Sequence, residues 1–167
     1  WVNYGLGSEN TNLPGYVVLD GGLIPPGGLD NFKNGFLPAT YQASILMAGA
    51  EPVANIRPAD SIAGIQDEKL AFLKKMDNNL LSGLGGADEI ESAISNYELA
   101  YKMQHSIPEL TRFGTESEAT KELYGLNSPD INTRGYGAQC LLARRLIERG
   151  VRFIELTCPQ VGGGADR

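Results

Sequence analysis

Four aspartates have the residue type and setting that metal-assisted hydrolysis uses. Asp20 directly follows an apolar run, Tyr16-Val17-Val18-Leu19, and Asp30, Asp60 and Asp166 lie in loops. Hydrolases that bind divalent metals collect such carboxylates at strand ends, because hard cations prefer oxygen ligands. Turn chemistry alone also draws aspartate into loops. Asp20 and Asp166 are the two that merit testing. His105 is the only imidazole in the chain, so a Ser–His–acid triad would have to use it. It falls at the carboxyl end of a predicted helix, just before Ser106-Ile107-Pro108, where an imidazolium interacts favourably with the helix dipole. No Gly-x-Ser-x-Gly elbow occurs, and a structural role is the expected one.

Other constellations are weaker. Cys140 and Cys158 are too few for a disulfide framework and fit buried apolar positions as well as anything else. With one histidine, neither a Cys/His zinc site nor a two-histidine metalloprotease helix can be assembled. Arg144, Arg145, Arg149 and Arg152 form a basic run. Arg144 precedes Glu148 by four residues, so a solvated, ion-paired helix face is the default. The sharper alternative is one arginine forking onto a buried carboxylate or an anionic ligand. Gly162-Gly163-Gly164 lacks both the Gly-Lys-Ser/Thr ending of a P-loop and dinucleotide spacing, and reads as a flexible loop at the edge of a site.

The elements that must position these residues point to an α/β protein. Residues 1–64 hold 16 of the 30 glycines and prolines and one clear strand, Tyr16–Leu19, bounded by Pro14-Gly15 and Asp20-Gly21-Gly22. A long irregular loop runs from Leu23 to Pro38, and a short helix is expected near Ala39–Ala48 with Tyr41, Ile45 and Leu46 inward. Residues 65–133 read as a helical layer or cap. Asp67 to Leu81 carries Leu70, Leu73, Leu80 and Leu81 inward and ends at Ser82-Gly83. A second helix, Ala87 to Ser106, carries Ile90, Ile94, Tyr97 and Tyr101, with Pro108 as its stop. Thr115-Glu116-Ser117-Glu118 has the form of a capping box for a short helix closing at Gly125. Residues 134–167 hold the best-specified unit: a helix from Gly135 to Arg149 with Leu142, Leu146 and Cys140 or Ile147 inward, Gly150 as left-handed stop, then a strand over Val151–Leu156. Ligand groups in such sheets gather just past the carboxyl ends of the strands, here from Thr157 onward.

Bulk properties limit the partners. The net charge of −6 argues against nucleic acid and anionic membrane surfaces. No apolar run approaches the roughly 18 residues of a membrane span. The chain begins with Trp1, carries no signal peptide as given, and stops within a glycine-rich loop, so truncation at both ends is expected.

The stretch Gly137 to Leu156 closely resembles a bacterial family catalogued as domain of unknown function 1501, whose members are often labelled sulfatase-like. Similar too are Trp1-Val2-Asn3-Tyr4-Gly5-Leu6-Gly7-Ser8-Glu9-Asn10, Leu13-Pro14-Gly15-Tyr16-Val17-Val18-Leu19, Gly35-Phe36-Leu37-Pro38-Ala39, Tyr97-Glu98-Leu99-Ala100-Tyr101-Lys102-Met103-Gln104 and Lys121-Glu122-Leu123-Tyr124-Gly125-Leu126. The resemblance implies an alkaline-phosphatase-like α/β fold, of which this chain is a part. It implies export through a twin-arginine signal to the periplasm or beyond, and metal-assisted hydrolysis of a phosphate or sulfate ester. The family's Gly-Gly-Pro-Ser-type segment would lie before Trp1, and its Trp-Asp-x-His and Gly-Glu-Phe-Gly-Arg segments beyond Arg167. No catalytic or metal-binding role is therefore carried onto a residue of this chain. A divalent metal belongs to the full-length parent, the partners are the rest of its own chain and a small anionic ester, and the isolated chain is expected to be inactive. The alternatives are a non-catalytic exported binding or scaffold protein of the same fold, and a self-contained helical module over residues 64–149.

Overall fold

The computed structural model describes residues 1–47, 52–53, 64–84 and 88–158. Its centre is a small parallel sheet in the order β2-β1-β3, built from β1 (Tyr16–Asp20), β2 (Ser44–Met47) and β3 (Phe153–Leu156). Val17 registers with Ser44 on one side and Ile154 on the other, and Leu19 with Leu46 and Leu156. Parallel neighbours require long crossovers. The first crossover is irregular, with 3₁₀ turns at Gly28–Phe32 and Ala39–Tyr41. The second contains α2 (Ile65–Leu84), α3 (Asp88–Leu110), α4 (Glu118–Leu123) and α5 (Ile131–Glu148), while a short α1 (Val2–Leu6) opens the chain. The fold is mixed α/β, as the sequence predicts.

Alternation along the strands decides which face meets the helices. Val17, Leu19, Leu46, Ile154 and Leu156 join one apolar cluster with Met103, Ile107 and Leu110 of α3 and Leu142, Ala143 and Leu146 of α5. Val18 points the other way and is also fully buried, so the central strand is covered on both faces, as parallel strands usually are. Helix α2 lies outside this cluster. It is clasped to α3 by polar contacts, with Tyr97 donating to Asp77, Tyr101 donating to Asp67, and Lys74 paired with Glu98 at 2.8 Å.

The junction at Gly150 closes as its sequence predicts. Gly150 has φ 85°, its N–H donates to Ile147 O at 2.9 Å, and Val151 N–H donates to Leu146 O at 3.0 Å. These are the paired bonds of a Schellman stop, and its apolar partners Leu146 and Val151 both lie in the core. The Asn10 side chain donates to Arg149 O, tying the chain's opening loop to the end of the helix.

Several expectations are corrected. The segment expected to be a helix over Ala39–Ala48 is instead a 3₁₀ turn followed by β2, with residue 48 outside the described residues. A four-residue apolar run has no period by which to tell strand from helix, and pairing with Val17–Asp20 decides. Helix α3 runs through Pro108 to Leu110, since Ile107 and Leu110 are buried in the core and their packing outweighs the lost backbone bond. The cap of α4 is Ser117, which accepts Thr120 N–H at 3.1 Å, whereas Thr115 belongs to a 3₁₀ turn and Glu118 pairs with Lys121. Helix α5 starts four residues early, because Asp130 accepts Thr133 N–H at 2.7 Å and caps it. Leu73, Leu80 and Ile147 are exposed, Cys140 is half-buried and Cys158 is exposed. Strand β3 starts at Phe153, while Val151 is spent on the helix stop.

Candidate functional site

All three strands run in the same direction, so their carboxyl ends share one edge of the sheet. The central strand β1 leads to β2 on one side, and β3 reaches its other side from the helical half of the chain. Ligand sites in open parallel sheets form outside the carboxyl ends at such a change of order. Here that point lies between Asp20 and Thr157.

The two side chains are joined. Asp20 Oδ1 accepts the Gly22 N–H at 2.8 Å and the Thr157 hydroxyl at 3.2 Å. Thr157 Oγ1 in turn accepts the Gly21 N–H at 2.7 Å, and the Thr157 N–H continues the ladder to Leu19 O at 3.0 Å. Leu23 N–H donates to Cys158 O at 3.2 Å, so the loop leaving β1 and the segment leaving β3 are stitched together. Thr157 is buried and Asp20 half-buried. Asp20 Oδ2 makes no hydrogen bond to a described residue. The carboxylate is thus fixed in direction by one oxygen, while the other has no partner among the described residues.

A second polar contact follows along the same face. Tyr16, Val18 and Asp20 share it with Phe153, Glu155 and Thr157. Tyr16 donates to Glu155 Oε2 at 2.9 Å. Burial, then the hydrogen bond and charge of Glu155, push the Tyr16 phenol well above its ordinary range.

The remaining candidates are dispersed. Asp30 lies in a 3₁₀ turn, not an open loop, and pairs with Lys33 at 2.7 Å on the surface, where the ammonium holds its carboxyl pKa below the ordinary value. Asp60, Asp166 and Gly162-Gly163-Gly164 lie outside the described residues. His105 is not at a helix end, since α3 continues to Leu110; it is exposed, edge-on to the Tyr101 ring at 5.2 Å. Each arginine of the basic run meets a carboxylate of its own chain: Arg144 with Glu148, Arg149 with Glu109, Arg152 with Glu9, and Arg145 with Glu116. Only the Arg145 pair is largely shielded from water. Its Nε and Nη2 both reach Glu116 Oε1, its Nη1 caps Leu110 O and Arg112 O, and it stacks over Phe113. It braces α5 against the turn after α3. Among the described residues no group of three His, Cys, Asp or Glu side chains stands together to hold a metal ion. Asp20 alone does not make a metal centre.

Gln139 escaped the sequence reading, which marked Thr157 only as the start of the segment past the last strand and gave it no role. Thr157 carried a usable signal, being the first polar residue past a predicted strand end. Gln139 is buried on α5 three residues before Leu142 and seven before Leu146, a polar residue at an apolar phase.

Residues 1–161 match the model of the family described as "Protein of unknown function (DUF1501)". The chain belongs to this family. The match takes in every element above, including the Gly150 junction and the Asp20–Thr157 edge, so both are parts of a DUF1501 protein. No curated protein and no solved structure matches the chain. No helix among the described residues is long and apolar enough to cross a membrane.

Proposed function

We propose that this DUF1501 chain forms part of an exported, metal-dependent phosphate or sulfate ester hydrolase with an alkaline-phosphatase-like fold. Its reaction centre would face the carboxyl ends of β1 and β3. One observation carries the reading: a half-buried carboxylate, Asp20, stands at the change of strand order with one oxygen anchored and the other unpartnered among the described residues. The label sulfatase-like often given to members of the family supplies the reaction class by analogy. Export by the twin-arginine route, to the periplasm or outside the cell, belongs to the same proposal, as does a small anionic ester as substrate. Asp20 is the described side chain placed to contribute to that centre. Thr157 and Gly22 are positioning groups that hold its direction.

A second reading is a non-catalytic exported binding or scaffold protein of the same fold. It is favoured by the engagement of Asp20 Oδ1 with its own chain and by the lack of a group of three His, Cys, Asp or Glu side chains among the described residues. The intact gene product, assayed with Mn²⁺, Zn²⁺ or Ca²⁺ against aryl phosphates and aryl sulfates, separates the two. Turnover of at least one ester is expected. No turnover together with no bound metal would select the binding protein.

A further inference from the structure

Aromatic rings gather at the amino ends of β1 and β3, the end of the sheet opposite Asp20. Tyr16 and Phe153, the first residues of the two strands, meet with ring centroids 5.1 Å apart. With Trp1, Phe36 and Tyr41 they line a cavity of about 420 Å³. That volume lies within the range of roughly 300–1,000 Å³ that small-molecule sites occupy. Trp1 meets Phe36 at 5.2 Å and Tyr4 at 6.1 Å, and Tyr4 meets Tyr41 at 5.3 Å, each pair edge to face. These contacts brace the rings, yet Trp1 is 72% exposed and Phe36 81%. Braced but unburied rings with polar residues around them mark a binding surface, not a core.

The polar part of the lining selects the ligand. Asn3, Asn31 and Asn34 lie on the wall. Asn31 Nδ2 donates to Pro26 O at 3.0 Å and Asn34 Nδ2 donates to Leu37 O. Their Oδ1 atoms and both polar atoms of the Asn3 side chain have no hydrogen-bond partner among the described residues. The unpartnered atoms of Asn3 and Asn34 are not closed off from solvent, so a ligand can reach them. Gly15, beside Tyr16, is what admits the Asn3 amide, since a Cβ there would lie 2.2 Å from Asn3 Oδ1. Charge on the wall is already balanced. Lys33, its one cation among the described residues, pairs with Asp30 at 2.7 Å, and no carboxylate residue lines the space. A cation would meet Lys33 with no acid facing it, and an anion would find that ammonium engaged.

We propose that this cavity binds a neutral saccharide built of flat, equatorially linked pyranose rings. Such a ring turns its axial C–H bonds, polarised by the neighbouring oxygens, onto the negative face of an aromatic ring. Its equatorial hydroxyls then point outward along the rim. Each hydroxyl both donates and accepts, which matches the free oxygens of Asn31 and Asn34 and the paired donor and acceptor of Asn3. Tyr16 and Asp20 stand at opposite ends of β1, about 13 Å apart along the strand. The saccharide site is thus separate from the Asp20 edge and does not rest on the hydrolase reading.

Isothermal titration of the intact gene product with cellohexaose tests this, with hexaproline and tetramethylammonium as competing chemistries for an aromatic site. Cellohexaose binds at least about tenfold more tightly than either. Its affinity stays within about twofold between roughly 0.15 M and 1 M salt, because no charge is exchanged. Phe36→Ala and Trp1→Ala each remove an exposed ring, weaken cellohexaose at least about tenfold and leave the melting temperature where it was. Lys33→Met keeps the affinity within about twofold. The proposal is overturned if cellohexaose does not bind, if hexaproline or tetramethylammonium binds as tightly, or if binding weakens with salt or with Lys33→Met. It is also overturned if either ring can be removed without loss. Sedimentation supplies the last check: a parent dimer that Phe36→Ala turns into a monomer would make the rings an interface between copies and overturn the saccharide site.

Discussion

Thr157 Oγ1 accepts the Gly21 N–H at 2.7 Å and donates to Asp20 Oδ1 at 3.2 Å, joining the end of β3 to the end of β1. One hydroxyl thus serves the backbone of one strand end and the carboxylate of the same residue pair. Thr157→Val keeps the shape and removes both bonds. It leaves the Gly21 N–H without its partner, and we expect a loss of about 1–3 kcal/mol in a urea titration. A variant as stable as the parent would show that the two strand ends are held by the ladder alone.

Arg145 and Glu116 form the best-shielded ion pair among the described residues, with side chains 13% and 16% exposed and an Nη2–Oε1 distance of 2.5 Å. Replacing Arg145 by Met strands Glu116 and removes the donor from two carbonyls. Breaking a buried pair from one side costs about 3–5 kcal/mol, and the residual exposure here puts the loss near the lower figure. Arg145→Lys should recover little, because an ammonium lacks the fork that serves Glu116, Leu110 and Arg112 together. Denaturant midpoints of the two variants check both statements.

Gly137 reverses an ordinary rule. A Gly→Ala change inside a helix usually gains about 1 kcal/mol. A Cβ at Gly137 would lie 1.8 Å from Tyr124 O, a backbone atom that cannot swing away. Gly137→Ala should therefore destabilise by about 3 kcal/mol, the upper end of what overpacking against fixed structure usually costs. Gly135→Ala, with nothing near its Cβ, is the matched control and should be neutral or stabilising.

The Tyr16 phenol is held above its ordinary value of 10.0 by burial first and by Glu155 second. Its folded-state pKa exceeds the unfolded one, so its contribution is fully present below pH 10 and is lost as pH rises toward the folded value. In an ultraviolet titration Tyr16 should ionise last, after Tyr97 and Tyr101, whose phenols are themselves raised by their hydrogen bonds to Asp77 and Asp67. Glu155→Gln should bring that tyrosine part of the way back, since burial remains.

The parts legible in the sequence were those with local causes. Tyr16–Leu19 is a bounded apolar run, and Gly150 carries its stop within five residues of Leu146. What escaped depended on distant partners. The Ile45-Leu46-Met47 run became a strand because β1 was there to pair with it. Pro108 failed to end α3 because Ile107 and Leu110 are held by the core. The caps fell at Ser117 and Asp130, which accept the N–H groups of Thr120 and Thr133, in place of Thr115 and a start at residue 135. Asp20 was readable as a strand-end carboxylate, but its partner lies 137 positions away. No pattern along the chain could join them.

The direct test is hydrolysis of aryl phosphates and aryl sulfates by the intact gene product and by its Asp20→Asn variant, each supplied with Mn²⁺, Zn²⁺ or Ca²⁺. Asparagine retains Oδ1 for Gly22 and Thr157 and removes the charge, so the melting temperature should hold while kcat falls by about tenfold or more. A parent protein that turns over an ester equally well with Asn at this position, or one that binds no metal and hydrolyses nothing, would contradict a hydrolytic centre at this edge.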